Sequence, residues 1–373
     1  MFTKFKLKDY NFTLLILVIL AMTLGTVFVN SAKSELLNKQ IMGVCGGIAV
    51  MLFVSFVDYN FICKFYRVFY IINIVMLLLV LVAGVNVNNA TRWIAIGGEN
   101  GIQIQPSELS KIFMIIFVAT LLQKYHEKNK INTFKGIIFF AVYMGIGLIL
   151  IVAEPDLSTT ICLCMVIITM YYVSGLSYKI IGIILLILIP LAGSFLWYIQ
   201  QPGEKILLKE YQINRILSFI YPSQYGDEFS QQKNSIMAIG SGQLSGKGLN
   251  TSTIATVKDA KFISEQQTDF IFSVIGEELG FIGSVIVIAI ILLIVLQCIK
   301  VARRASDKKG MLIATGVGVL ISYQSFINIG VATGVLPNTG LPLPFISYGL
   351  SSLLSISFGI GIVLNISIQK SKI

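Results

Sequence analysis

The sequence is poor in charge. Charged residues make up 12% of its 373 residues, whereas soluble domains contain about 25%. Hydrophobic residues make up 55%, and the mean hydropathy is +0.84. These values exclude a soluble globular domain and predict an all-α, polytopic membrane protein.

Histidine and cysteine are also scarce. The five cysteines lie in or beside apolar runs, without the spacing of a zinc site or a disulfide framework. The net charge of +10 would suit nucleic acid, but the sequence has no basic soluble face interleaved with aromatic residues. Basic cytoplasmic loops explain the charge better, and we expect no nucleic-acid partner.

Ten apolar runs are long enough to cross a bilayer, which takes about 20 residues of helix. An even number of crossings places both termini on the same side. The first run is too long for a signal peptide and no cleavage site follows it, so we interpret it as a membrane helix. The runs cover residues 11–29, 41–57, 66–85, 107–123, 136–153, 158–175, 179–198, 270–299, 310–334 and 345–367.

The basic residues predict which side is the cytoplasm. Segments on the side of the termini hold 17 Lys and Arg residues, and the short loops on the other side hold 4. The other 7 lie in the 199–268 loop, and long loops count little for orientation. Both termini are therefore predicted to be cytoplasmic.

We expect one integral membrane domain over residues 1–373, with 199–268 as a long extracytoplasmic loop before the eighth helix. The only histidine, His126, then lies inside, which excludes a His-based triad at the outer face.

Acidic residues concentrate in residues 264–281, where the long loop meets the eighth apolar run. Carboxylates at membrane depth are costly, so they usually face a cavity or a partner. Asp269 can act as a general base at the membrane surface or merely cap its helix, and the spacing favours neither. The two deeper acids are better explained as contacts between helices. The stretch holds four of the 18 acidic residues: Glu265, Asp269, Glu277 and Glu278.

A second group of polar residues stands at the fourth run. Pro106 suits a helix start, and Glu108 and Lys111 are spaced to pair along that helix. A helix cap with an intrahelical ion pair is the simpler interpretation. The alternative is that Lys111 and Arg92 line an anionic pocket, while Trp93 fits an anchor at the headgroup level.

Three further segments on the outer side carry motifs. Asp156 follows Glu154 and Pro155 in a predicted turn, and it can form either that turn or a second acid near the site. The glycine-rich residues 240–248 depart from the spacing of a phosphate loop, so we interpret them as a flexible turn. Residues 337–344 hold three prolines and predict a rigid wall.

Taken together and in order, these motifs resemble the SEDS family (shape, elongation, division and sporulation), over essentially the whole chain. The short termini and Ser-Gly-Lys-Gly-Leu are most similar to the RodA elongation branch rather than the FtsW division branch, although a SpoVE-type sporulation member would look similar. The segments are RWI (92–94), QPSELSKI (105–112), EPDLSTT (154–160), QQKNSIMAIGSGQLSGKGL (231–249), EQQTDFIFSVIGEELGF (265–281) and NTGLPLPFISYG (338–349).

The resemblance implies a peptidoglycan glycosyltransferase that polymerises lipid II at the outer face of the bacterial plasma membrane. It implies that Asp269 is the catalytic residue. It also implies functional roles for Arg92, Trp93, Glu108 and Lys111. To these we add Glu265 and Asp156 as expected substrate contacts. A class B penicillin-binding protein and membrane lipids are the expected partners. A divalent cation, Mg or Mn, is a candidate cofactor that would stabilise the departing diphosphate.

The sequence departs from the family pattern at four positions, none of which is Asp269. Ser264 replaces a proline, and Gln243 and Leu350 replace glycines. Glu154 replaces a glutamine and is expected to add a charge near the site. Two other functions stay open: a lipid II flippase, since buried acids also suit a transporter, and a non-catalytic scaffold of the cell-wall machinery.

Overall fold

The computed structural model describes residues 9–87, 90–96, 102–201, 210–224, 226–250, 263 and 265–369. The predicted loop segments 202–209 and 251–262 and Ser264 lie outside the described residues. The helices are α1 (Phe12–Ala32), α2 (Leu37–Phe56), α3 (Tyr59–Lys64), α4 (Tyr66–Ala83), α5 (Pro106–Glu127), α6 (Phe134–Ala153), α7 (Leu157–Val173), α8 (Tyr178–Gln200), α9 (Glu210–Ile220), α10 (Gly226–Ser241), α11 (Ile271–Arg303), α12 (Lys308–Ala332) and α13 (Leu350–Ile368). The strands are β1 (Val85–Val87), β2 (Ala90–Ile96) and β3 (Ile102–Ile104).

The predicted polytopic all-α architecture is confirmed. Within the described residues, nine helices have the length and composition to cross a membrane, and α7 is an apolar helix of 17 residues that falls just short. Together these ten helices match the ten predicted runs. The last run begins later than expected, because residues 345–349 form turns ahead of α13.

The interior of the bundle is formed by α5, α12 and α13, whose side chains are mostly buried. Helix α13 packs against α2, α5 and α12. Small residues permit this close packing: a Cβ on Gly47 would lie 2.8 Å from the Ser357 hydroxyl oxygen. Helix α8 lies at the periphery and exposes its apolar side chains, as a lipid-facing helix does.

Polar contacts distinguish the two ends of the bundle. At one end, Asn11 at the start of α1 bonds Gln297 near the end of α11, and the Tyr59 amide bonds Asn365 of α13. At the other end, the Gln105 amide bonds Ser351 at the start of α13. The segments predicted to be cytoplasmic and extracytoplasmic therefore lie at opposite ends, and the unusual motifs share one of them.

Three features were not predicted. The 86–111 loop forms an antiparallel sheet in the order β1-β2-β3. The long loop contains α9 and α10, and α10 packs against α11 and α12. Helix α11 is interrupted at Gly280, whose φ of 65° and ψ of −159° are not helical.

Candidate active site

Asp269 lies in the turn of residues 265–270, directly ahead of α11. The backbone of this turn is fixed from α12 and from the segment before α13. The Asn328 side-chain amide donates to the Asp269 carbonyl at 2.8 Å, and the Ser347 hydroxyl donates to the Thr268 carbonyl at 2.6 Å. The Tyr348 amide donates to the Gln267 carbonyl at 2.9 Å. The position of Asp269 is thus set by several elements at once.

The side chain of Asp269 does not cap a helix. Phe270 is the N-cap of α11, and no side chain caps that helix. The Asp269 carboxylate is partly exposed, and no described residue donates a hydrogen bond to it. The structure therefore decides against the capping interpretation and leaves a carboxylate that can accept a proton.

Arg215 of α9 faces this carboxylate across Gly340. A Cβ built on Gly340 would lie 3.3 Å from Asp269 Oδ2 and 3.7 Å from Arg215 Nη1. Gly340 belongs to the proline-rich segment, and its φ of 76° favours glycine. The carbonyls of this segment are held by Gln324, which bonds Pro342, and by Asn328. A side chain at position 340 would therefore crowd both the acid and the guanidinium.

Charge and burial set the protonation of Asp269. Desolvation by the surrounding protein raises its pKa to about 6, although the Arg215 and Arg92 guanidiniums lower it. Glu265 and Asp156 raise it further, since their charges are of like sign. At pH 7 the carboxylate is mostly ionised, yet its pKa is close enough to neutral for proton transfer in both directions.

Arg92 and Trp93 lie on β2, beside the turn between α6 and α7. The Arg92 guanidinium donates to the carbonyls of Glu154 and Pro155 and lies 4.0 Å from the Asp156 carboxylate. Its side chain is 19% exposed, so it still reaches solvent. Trp93 is partly buried on the same strand.

Asp156 connects this turn to α5. Its Oδ1 accepts from the Thr159 amide and caps α7, while its Oδ2 accepts from the Ser107 hydroxyl at 3.2 Å and from Gln105 at 3.5 Å. Asp156 therefore forms the predicted turn and also contributes charge to the surroundings of Asp269.

Glu154 is fully buried, and both its carboxylate oxygens lack a hydrogen-bond partner. Desolvation raises its pKa to about 8, with the nearby Asp156 adding to the effect and Arg92 opposing it. The expectation that Glu154 adds a charge near the site is wrong at neutral pH, because the burial keeps this acid protonated.

Glu108 and Lys111 lie in the interior of the bundle. Lys111 Nζ bonds Glu108 Oε1 at 2.7 Å and Gln324 Oε1 at 3.2 Å, and both charged side chains are almost fully buried. The observed contact is the intrahelical ion pair of the simpler interpretation. The Ser355 hydroxyl bonds the Glu108 carbonyl at 2.6 Å, which ties this helix start to α13.

Glu265 accepts hydrogen bonds from its own turn. Its carboxylate accepts from the Thr268 hydroxyl and from the Gln267 amide, each at 3.2 Å. Because it also acts on the charge of Asp269, it lies at the edge of the site.

The deeper acids make structural contacts, as predicted, but these contacts join α11 to the long loop as well as to the neighbouring helix α1. Glu277 pairs with Lys247 at 2.7 Å, and Glu278 accepts from Ser31 and from the Asn250 amide. The glycine-rich residues 240–248 are not a free flexible turn, because their backbone is bonded to α11.

The sequence did not single out Arg215, Gln324 or Asn328. Arg215 lies on a short helix whose apolar and polar residues alternate with helical period, so α9 itself could have been predicted. Its proximity to Asp269 brings together residues far apart in the sequence, and no local pattern predicts that. Among the described residues, no group of three His, Cys, Asp or Glu side chains could hold a metal ion.

The family follows from the match of the whole chain. Residues 9–372 match the FtsW/RodA/SpoVE family model, which is described as cell cycle protein. The chain belongs to the FtsW/RodA/SpoVE family. With its helices long and apolar enough to span a bilayer, this family member is a multi-pass protein of the plasma membrane.

Two relatives match this chain over nearly its whole length. The chain is 32% identical over 380 residues to a "Probable peptidoglycan glycosyltransferase FtsW" of Trichlorobacter lovleyi, covering 97% of this chain and 94% of that one. A protein of the same name from Geobacter metallireducens is 33% identical, with 97% and 96% covered.

Two solved structures share the fold of this FtsW/RodA/SpoVE protein. One, described as "Structural coordination of polymerization and crosslinking by a peptidoglycan synthase complex", has a TM-score of 0.79 at 25% identity, covering 96% of this chain and 97% of that one. The rod shape determining protein RodA of Thermus thermophilus has a TM-score of 0.69 at 24% identity, with 96% of each chain covered. The sequence matches are named FtsW and this structure RodA, so the branch is not decided.

Proposed function

We propose that this protein is a peptidoglycan glycosyltransferase that polymerises lipid II at the outer face of the membrane. The observation that carries the proposal is the Asp269 carboxylate, which is free of hydrogen bonds from the described residues and faces Arg215. The names of its FtsW relatives support the same activity.

In the proposed reaction, Asp269 takes the proton from the 4-hydroxyl of an acceptor sugar as that oxygen attacks the anomeric carbon of the donor. The bond to the lipid diphosphate breaks, and its electrons leave with the diphosphate. One displacement inverts the α-linked donor to a β-glycosidic bond. A single base therefore suffices, and the two-carboxylate arrangement of glycosidases is not needed.

The departing diphosphate needs positive charge, which Arg215 and Arg92 supply. Arg215 is nearest to Asp269, while Arg92 is oriented by the turn carbonyls of Glu154 and Pro155. The described residues do not form a metal-binding group, so no step is assigned to a metal. We propose that any divalent cation, Mg or Mn, arrives with the diphosphate oxygens as its ligands.

The other predicted site residues take supporting parts. Trp93 offers an aromatic surface at the headgroup level, while Glu265 and Asp156 adjust the pKa of Asp269 and border the substrate. Glu108 and Lys111 are buried, so we propose that they support the α5 start beneath Asp156 rather than touch the diphosphate.

The proposed partner is a class B penicillin-binding protein, a transpeptidase that cross-links the new strand. The likeness to the peptidoglycan synthase complex supports a partner of this kind. We propose that the protein acts in cell-wall elongation as a RodA-type member, with the division and sporulation branches as the alternatives.

A lipid II flippase is the second candidate, and the position of the acids argues against it. Transport across a bilayer calls for polar groups along a path. In the described part of the chain, Asp269, Asp156 and Glu265 gather at one end of the bundle, and the deeper acids Glu108 and Glu277 are each paired with a lysine. The non-catalytic scaffold has no observation in its favour.

Reconstitution separates these functions. The full-length protein is placed in liposomes with its transpeptidase partner and fluorescent lipid II, and two products are followed. Glycan strands on a gel that disappear in Asp269→Ala would support the proposal. Movement of lipid II between leaflets, without strands and without dependence on Asp269, would replace it with the transporter.

A further inference from the structure

Helix α11 has lost two of its internal hydrogen bonds at Gly280. In an unbroken helix the amides of residues 281 and 282 would donate to the carbonyls of residues 277 and 278. The conformation of Gly280 separates these groups. Residues 271–279, which directly follow Asp269, thus form a short outer segment that is not continuous with the rest of α11.

The glycine-rich loop 242–248 takes the place of the missing bonds. Its backbone enters the gap and bonds the freed groups of residues 277, 278, 281 and 282. The amides of Phe281 and Ile282 donate to the carbonyls of Gln243 and Leu244 at 2.8 and 3.1 Å, and the amides of Lys247 and Gly248 donate to the carbonyls of Glu277 and Glu278 at 3.0 and 2.9 Å.

Glycine permits this close approach. A Cβ on Gly242 would lie 1.9 Å from the Gly276 carbonyl oxygen, and a Cβ on Gly246 would lie 2.1 Å from that of Glu278. The φ of Gly246 is also positive, at 80°. The loop therefore fits its place only with these residues, which explains the glycines without a phosphate ligand.

Lys247 adds a charged contact to the backbone bonds. Its Nζ lies 2.7 Å from Glu277 Oε1, and the side chains are 15% and 1% exposed. Loss of one partner from a buried pair leaves an uncompensated charge. A neutral residue at position 247 would therefore remove this charged link between the loop and the outer segment.

We propose that Lys247, through its ion pair with Glu277, is a positioning residue for the transfer reaction and holds Asp269 in place. Glu277 lies six residues beyond Ile271, the first residue of the outer segment, or about 9 Å along a helix, and Asp269 is in the turn just ahead of that segment. The loop thus fixes the far end of the segment, while Asn328 and Ser347 fix the near end. This inference rests on the proposed function.

The test compares Lys247→Met with wild type in the full-length protein, together with its transpeptidase partner and purified lipid II. Because misplacement by about 1 Å costs up to ~100-fold in rate, we expect kcat to fall ~10- to 100-fold, while KM changes by less than about two-fold. A displaced Asp269 gains water, so its pKa falls. The acidic limb of kcat/KM, expected at about pH 6, should move to lower pH.

Three further variants keep the test decisive. Glu277→Gln removes the buried carboxylate, so we expect it to fold even where Lys247→Met does not. Like Lys247→Met, it should move the acidic limb of kcat/KM to lower pH. The double variant should recover rate relative to Lys247→Met, because no buried charge is left unpaired. Lys233→Met removes an exposed lysine of α10 and should change neither kcat nor the limb.

The proposal is overturned when Glu277→Gln has the wild-type kcat and the wild-type acidic limb of kcat/KM. It is also overturned when Lys247→Met and Glu277→Gln lose rate only in proportion to the loss of folded protein. Either outcome leaves the proposed function intact. By contrast, an Asp269→Asn protein that polymerises lipid II normally would remove the proposed function itself, whatever the Lys247 variants do.

Discussion

Replacement of Arg215 by glutamine tests the electrostatics of the site directly. Arg215 and Asp269 each reach within 4 Å of one point beside Gly340, and the guanidinium lowers the pKa of Asp269. At roughly 6 Å and an effective dielectric constant of about 40, such a pair is worth about 1.4 kcal/mol, or about one pH unit. Without Arg215, the pKa of Asp269 should rise from about 6 to about 7.

The assay is the initial rate of lipid II polymerisation between pH 5 and pH 9, with kcat/KM taken at each pH, since this ratio reports the free enzyme. We expect the acidic limb of Arg215→Gln to move up by about one unit, in the direction opposite to Lys247→Met. The absolute rate should also fall, because Arg215 is proposed to bind the diphosphate. An unchanged midpoint, or one that moves to lower pH, would refute the assigned position of Arg215 beside the base.

Three other changes test the burial of particular groups. Glu154 binds its proton up to about pH 8 in the folded protein but only up to about pH 4.5 when unfolded. Wild type should therefore lose stability relative to Glu154→Gln as the pH rises between these values. Thermal unfolding of both proteins at several pH values measures this difference in stability. Gly246→Ala should cost ~3 kcal/mol or more of unfolding free energy, because its Cβ clashes with a carbonyl at a positive φ, whereas Gly240→Ala, which has open space, should be neutral or stabilising. Lys111→Met should cost about 3–5 kcal/mol by leaving Glu108 buried and unpaired, and adding Glu108→Gln should restore most of it.

The membrane helices could be predicted from the sequence because each is specified locally. A bilayer selects for about 20 consecutive apolar residues, and the runs of this sequence match the ten helices within a few residues. The short sheet of β1–β3 was missed, since strands of three to seven residues carry little periodic signal.

The break in α11 could not be predicted from residues 271–303. A lone glycine is tolerated within helices, and Gly280 takes its non-helical conformation in partnership with a loop that begins almost 40 residues earlier. For the same reason, the glycine-rich loop was interpreted as flexible, whereas its backbone is hydrogen-bonded to α11.

The candidate site was predicted in part. Asp269, Arg92, Asp156 and Glu265 were named and do lie together. Spacing alone could not separate a base from a helix cap at Asp269. The missing cap contact excludes the cap, and the role as a base stays a proposal. Arg215 escaped notice because only the tertiary fold brings it near Asp269.

The central claim is that Asp269 is the base of the transfer reaction, and the most direct test is Asp269→Asn. The amide keeps the size of the side chain but cannot take the acceptor proton. Strand synthesis from lipid II by the protein and its transpeptidase partner is compared with that of Glu35→Gln, which removes an exposed acid at the same end of the bundle. We predict that Asp269→Asn still binds lipid II but makes no glycan strands, while Glu35→Gln makes them normally. Normal strand synthesis by Asp269→Asn would contradict the account.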